Sequence, residues 1–302
     1  MNSMDPVVAS ASARYKQSVW SLLMVLFKVR VVLLLLFAAV GGAFIAAGGW
    51  PGVTNLAVLL VTGGLAAAGA SAINQALERE LDARMERTRH RPLAARALTR
   101  SRWVVYTGAL MILLPALSVL LFNPALTTFL LGGAVIYIGV YTIWLKPRTP
   151  LNIVIGGAAG SAAVLTGSAA AGSWNEPGAV TLALLVFLWT PTHFWSLAIA
   201  YRDDYIRGGF PMLPVQTTPR SAAGWVLLHA CAAVVAALAL TAHPAIGWPY
   251  LVPVALGSVA LLALSLRLIA VPGKERALAL FHASNLYLAL VISMICVNTL
   301  IP

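Results

Sequence analysis

The stretch TNLAVLLVTGGLAAAGASAINQALERELDARMERTRHRPL, residues 54–93, begins as an apolar run and ends in a knot of charge. Residues 54–77 contain no Asp, Glu, Lys or Arg and are long enough to cross a bilayer as one helix. Residues 78–102 then hold 12 of the chain's 29 Asp, Glu, Lys and Arg residues. The chain as a whole is 60% hydrophobic and 10% charged, with a mean hydropathy of +0.88, which is too apolar for a soluble domain.

Working outward, eight more uncharged runs have similar length. With the first they read as spans over 31–48, 54–77, 103–122, 125–144, 151–172, 178–200, 222–242, 248–266 and 279–300. Lipid offers no partner to a backbone amide, so runs this long and unbroken predict helices and not barrel strands. The expected fold is an all-α polytopic membrane protein with nine transmembrane helices. GGWPGVTN, FNPA, GSWNEPG and AHPAIGWPY separate alternate pairs, and the breaks near residues 50 and 123 predict tight hairpins. Residues 1–30 read as an N-terminal interfacial segment and residues 31–302 as a single nine-helix domain. The first span is followed by eight others, so it reads as a span and not a cleaved leader. No Arg- and Ser-rich transit segment precedes it, which points to a bacterial origin.

Nine spans place the N-terminus and the loops after spans 2, 4, 6 and 8 on one side. All 20 Lys and Arg residues, from Arg14, Lys16, Lys28 and Arg30 to Arg276, fall on that side. The positive side is the cytoplasmic one, which predicts a bacterial inner membrane protein with its C-terminus outside. The net charge of +11 is therefore topology, and no nucleic-acid motif accompanies it. Cys231 and Cys296 lie in spans, outside any metal or redox motif, and read as packing residues.

Positive-inside bias explains the arginines of residues 79–102 but not their acids. If the second span continues as a helix, Asn74, Glu78 and Asp82 fan over about 80° of one face. Three oxygen donors on one stripe at the membrane rim suit a hard cation such as Mg²⁺, which also keeps waters and phosphate oxygens. A solvated helix end laced with ion pairs is the competing reading; Glu80 and Glu86 fall off the stripe and suit arginine partners. A second cluster, YRDDYIRGGFPMLPV at 201–215, sets Asp203 and Asp204 among arginines after span 6. Four crossings separate the two clusters, so they share a compartment. Two acidic clusters with basic neighbours can hold metal ions and a diphosphate between them. A third loop, YTIWLKPRTPLNIVIGG at 141–157, adds Lys146 and Arg148, with Tyr141 one turn away, as phosphate contacts or as plain anchors.

These stretches together resemble the UbiA superfamily of intramembrane prenyltransferases, and most closely its haem branch. The shared pattern runs Asn74, Glu78, Asp82, then Arg87-Thr88 and Arg91-Pro92. THFWSLAIAYRDDYIRGGFPMLPV at 192–215 and WLKPRTPLNIVIGGAAGS at 144–161 are the branch-specific strings, and the likeness extends from about Lys28 to Asn298. Thr192 separates Pro191 from His193 where the branch often has Pro-Pro, and no Pro-Pro follows the start of span 5. The resemblance implies nine helices around a central cavity. It also implies transfer of a farnesyl group from farnesyl diphosphate to a vinyl group of haem b, with water adding a hydroxyl, to give haem O and diphosphate. Asn74, Glu78, Asp82, Asp203 and Asp204 would hold Mg²⁺ and diphosphate. Arg87, Arg91, Lys146, Arg148 and Arg202 would contact diphosphate, with Tyr141 nearby and His193 touching haem. Delivery of product to a haem A synthase or a terminal oxidase assembly is a further family expectation. A quinone precursor or other aromatic acceptor is the alternative. A transporter or an assembly factor fits less well, because the charge sits at one membrane face and the opposite loops carry one acid, Glu176.

Overall fold

In a computed structural model, residues 19–301 are described, and they are helical with short connections apart from the loop over residues 83–100. Arg14, Lys16 and the first eighteen residues of the expected interfacial segment lie outside the described residues. A short helix α1 (Val19–Leu26) precedes the first span, and a left-handed Lys28 (φ 48°) breaks the chain between them. Nine helices among the described residues are long and apolar enough to cross a membrane. They are α2 (Val29–Ala47), α3 (Val53–Asp82), α4 (Ser101–Ser118), α5 (Pro124–Leu145), α6 (Asn152–Ala170) and α7 (Pro177–Ala200). After two short helices, α8 (Arg202–Gly208) and α9 (Leu213–Gln216), come α10 (Pro219–Ala242), α11 (Trp248–Ala270) and α12 (Lys274–Asn298). The chain is a multi-pass membrane protein. The nine expected spans are all present; α3 runs on to Asp82 and α12 starts earlier, at Lys274, because charged ends continue as helix beyond the lipid.

Consecutive spans pack side by side, and α12 returns to α2, closing a ring. Apolar side chains gain little from meeting each other in lipid, so close backbone approach holds such helices together. Gly167 of α6 is the tightest case: a Cβ there would lie 1.7 Å from the Ala39 carbonyl oxygen of α2. Between α3 and α4, Gly69 is also close, with the Gly108 carbonyl oxygen 2.5 Å from where its Cβ would sit. Gly167→Val is therefore expected to force α2 and α6 apart and cost at least about 1–3 kcal/mol. The folded fraction extracted in mild detergent should fall, whereas Gly132→Val, where nothing lies within 4 Å, should leave it unchanged.

Helix starts carry their own signals. Asn123, Glu176 and Thr218 each accept a backbone N–H with the side chain, and a Pro follows each at the first helical position. Asn123 also donates to the Ala169 carbonyl, tying the α4–α5 hairpin to α6. One expectation needs correcting. Cys231 does not pack inside; it is exposed on the outer surface of α10, where a small apolar thiol is compatible with lipid.

The second half of α5, Val135–Leu145, is a π-helix and not the α-helix expected. Bonding from i to i+5 widens the turn to about 4.4 residues. In an α-helix Tyr137 and Lys146, nine residues apart, would face opposite ways. The wider turn stacks Tyr137 on Tyr141 at 5.9 Å and brings Lys146 round to the same side, where its N–H reaches the Tyr141 carbonyl.

Candidate active site

A cavity of about 500 Å³ lies among α2, α3, α5, α6, α7 and α12. Its lining along α3 runs from Gly63 to Asp82, a rise of about 28 Å. One end is charged and the remainder is mostly apolar, with Leu34, Phe37, Phe129, Val186 and Ile292 among its walls.

The charged end is built on the last two turns of α3. Asn74, Glu78 and Asp82 line it together and are buried, as their shared stripe requires. Each acid meets one base: Lys146 Nζ lies 2.5 Å from Glu78 Oε1, and Arg91 lies 2.7 Å from Asp82 Oδ2. Neither Glu78 Oε2 nor Asp82 Oδ1 has a protein partner among the described residues. Asn74 accepts from Lys28 Nζ at 2.5 Å and donates to Thr142 Oγ1 at 3.0 Å. Arg87 lines the same end, 5.9 Å from the rings of Tyr201 and Tyr205, and its Nε is buried without a partner among the described residues. Four cations and two carboxylates thus face one chamber end, a surplus that suits a polyanion.

Lys28 served the sequence reading only for orientation, yet it is part of this end. Its left-handed backbone turns the side chain inward, where Nζ also reaches the Tyr137 hydroxyl at 3.1 Å. Burial, with help from Arg91, pushes its ammonium down to about 7, against the pull of Glu78. A Lys between two apolar runs, with Arg30 two residues on, was the available signal. Tyr137, four residues before Tyr141, and Phe210, whose ring lies 4.5 Å under Lys146 Nζ, were also missed.

The second acidic cluster meets the first, but differently from the expectation. Asp204 is buried beneath the loop after α3 and accepts the backbone N–H groups of Glu86 and Arg87 at 3.0 and 2.9 Å, with Arg207 as a third partner. Burial alone would raise its carboxyl; those hydrogen bonds outweigh burial and hold it below the usual carboxylate range. The clamp is therefore complete above that range and is lost as pH falls through the lowered pKa. Met85 of the same loop is buried against Gly208, where a Cβ would come within 2.9 Å of its side chain. Asp203 is exposed and lines no part of the cavity. Arg148 and Arg202, expected at diphosphate, are elsewhere: Arg148 donates to the Ile143 and Trp144 carbonyls at the end of α5, and Arg202 to the Pro214 carbonyl. Both satisfy backbone oxygens that a helix end or turn leaves open. Glu86 pairs with Arg89 and Glu80 with Arg79, as residues off the stripe should.

The two aspartates should therefore separate on substitution. Asp203→Asn is expected to change kcat/KM less than about threefold, whereas Asp204→Asn should cost about tenfold through loss of charged hydrogen bonds to the loop. Steady-state kinetics on the two variants side by side reads the difference.

His193, Tyr141 and Trp189 also line the cavity. His193 stacks between Trp189 and Phe281, and Thr192 beside it donates to the Val226 carbonyl across the α7–α10 contact.

Helices ringing a mostly apolar chamber, with paired acids and surplus cations at one end, define an intramembrane enzyme. The chain belongs to the UbiA prenyltransferase family, whose model matches residues 34–288. It is 38% identical to the protoheme IX farnesyltransferase of Metallosphaera sedula, over 91% of this chain and 95% of that one. It is 39% identical to the protein of that name from Synechococcus sp. strain JA-3-3Ab, over 88% and 80% of the two chains. Among solved structures, a digeranylgeranylglyceryl phosphate synthase superposes with a TM-score of 0.76 at 16% identity, covering 93% of this chain and 98% of that one. A UbiA homologue from Archaeoglobus fulgidus bound to DMAPP and Mg²⁺ superposes at 0.63 and 17% identity, covering 91% and 99%. At these identities the likeness is one of fold.

Proposed function

We propose that this chain transfers the farnesyl group of farnesyl diphosphate to a vinyl group of haem b, with water adding a hydroxyl, to give haem O and diphosphate. The observation that carries the reading is the joining of a cation-rich end to a long apolar chamber in one cavity. The names of the similar proteins support haem as acceptor and farnesyl as donor.

Lys28, Arg87, Arg91 and Lys146 bind the diphosphate and stabilise the charge that grows on it as the allylic C–O bond breaks. The free oxygens of Glu78 and Asp82, with Asn74, fit a Mg²⁺ that takes the rest of its shell from water and diphosphate. A Mg²⁺ held there would supply neutralisation of part of the diphosphate charge. The stacked Tyr137 and Tyr141 present aromatic faces next to the diphosphate end, where an allylic cation is stabilised. The apolar walls hold the isoprenoid and keep water from quenching the cation early. Asp204 acts from outside the cavity, positioning Arg87 and Arg91 by holding their loop.

The charged end faces the cytoplasm of a bacterial cell, since all 20 basic residues sort to that side, and the C-terminus lies opposite. A haem A synthase or a terminal oxidase assembly would receive the product. Mass spectrometry of products from purified protein, Mg²⁺, farnesyl diphosphate and a mixed pool of haem b and quinone precursors tests the reading. Farnesylated, hydroxylated haem is the expected product; prenylated quinone precursor in its place would refute haem as acceptor.

A further inference from the structure

Away from the charged end, the cavity wall has few polar side chains. Thr166 and Thr190 line it, but each gives its hydroxyl hydrogen to a carbonyl of its own helix, at 2.7 Å. His193 is different. Its ring is fixed between Trp189, at 4.5 Å and 17°, and Phe281, at 4.3 Å and 26°. Trp189 Nε1 in turn donates to the Ser284 carbonyl at 2.8 Å, locking α7 to α12 at this point.

The hydrogen-bond distances assign a role to each ring nitrogen. Ser284 donates its single hydroxyl hydrogen to the Phe281 carbonyl at 2.8 Å. Its Oγ lies 3.1 Å from His193 Nδ1, so at that contact Oγ accepts and Nδ1–H donates. In the neutral ring the lone pair then sits on Nε2. Nε2 has no protein partner among the described residues, although His193 lines the cavity. Asn285, the next residue on α12, also lines it and uses its Nδ2 on the Phe281 carbonyl at 3.2 Å, leaving Oδ1 unpaired.

We propose that His193 Nε2 accepts the proton of the water that ends the reaction, with Asn285 Oδ1 as a second hydrogen-bond acceptor for that water. The proposal rests on the farnesyl-to-vinyl reading above. The C–O bond of farnesyl diphosphate breaks, and its electron pair leaves on diphosphate. The allylic carbon bonds to the outer vinyl carbon of haem, which leaves a cation on the inner carbon beside the pyrrole. The water oxygen bonds to that carbon, and its proton passes to Nε2. Without a base at this place the cation sheds a C–H proton instead and ends as an alkene one water lighter. His193 therefore decides how the reaction terminates and not whether it starts.

The test is His193→Gln, a side chain that can hydrogen-bond to water but cannot take its proton. Mass spectrometry gives the ratio of hydroxylated to dehydrated farnesyl-haem, and a coupled assay gives diphosphate release. The ratio should fall about tenfold or more, whatever the rate of diphosphate release. An unchanged ratio, at any rate of turnover, overturns the proposal. If this variant yields no farnesylated haem, Ser284→Ala decides. It frees Nδ1 to exchange tautomers and should lower the ratio; an unmoved ratio there overturns the proposal too. Wild-type protein that makes no farnesylated haem sinks the underlying function instead, so the two failures are distinguishable.

Discussion

Asp82→Asn is expected to lower kcat about 10²–10³-fold, in line with the loss of one transition-state electrostatic contact. The side chain keeps its shape and can still accept from Arg91, so the fold is expected to survive. What disappears is the negative charge that would let Oδ1 bind a metal ion. A thermal melt in detergent matching wild type, together with the lost turnover, would place the effect in the chemistry. Near-normal turnover would remove Asp82 from the site. Glu78→Gln should behave in the same direction, because Glu78 likewise binds one base and leaves one oxygen open.

Lys146→Met should be nearly as damaging, about 10²-fold in kcat/KM, and for two reasons. It removes a cation from the diphosphate end, and it leaves Glu78 buried without its partner. The second effect predicts a rescue. Lys146→Met combined with Glu78→Gln should recover stability lost by the single variant but not activity, which a melting series and an assay together would show. Recovery of activity in the double variant would mean that Lys146 serves only to neutralise Glu78.

The spans were legible because lipid imposes one requirement, length of apolar run, that composition displays directly. The stripe of Asn74, Glu78 and Asp82 was legible for a similar reason: once α3 is taken to continue, the spacing determines the face. The side pairs of Glu86 and Glu80 follow from the same geometry. The role of Asp204 was not readable, because its partners are backbone N–H groups of a loop over a hundred residues away. No side-chain pattern announces them. All four arginines were expected at diphosphate, and what separates Arg148 and Arg202 from Arg87 and Arg91 is whether an open carbonyl or the cavity lies within reach. The π-helix was hidden as well, since the apolar run VIYIGVYTIWL carries no mark of its turn width. Yet it decides that Lys146 joins Tyr137 and Tyr141 on the cavity side. Lys28 escaped because a left-handed residue between two helices redirects a side chain that positive-inside bias had already explained.

The two aspartates of the second cluster show how close the reading came. Both acidic clusters do meet, and on one side of the helix ring. They meet as a clamp on a loop, and the carboxylates that line the cavity are those of α3.

The central claim is that the α3 stripe holds the metal and the basic side chains around it hold the diphosphate. An anomalous-scattering map of the protein with Mn²⁺ and a non-hydrolysable farnesyl thiodiphosphate tests it most directly. The account predicts an ion within about 2.0–2.3 Å of oxygens from Glu78 and Asp82, with the diphosphate reaching Arg87, Arg91 and Lys146. An ion bound at Asp203 with none on the α3 stripe would contradict it.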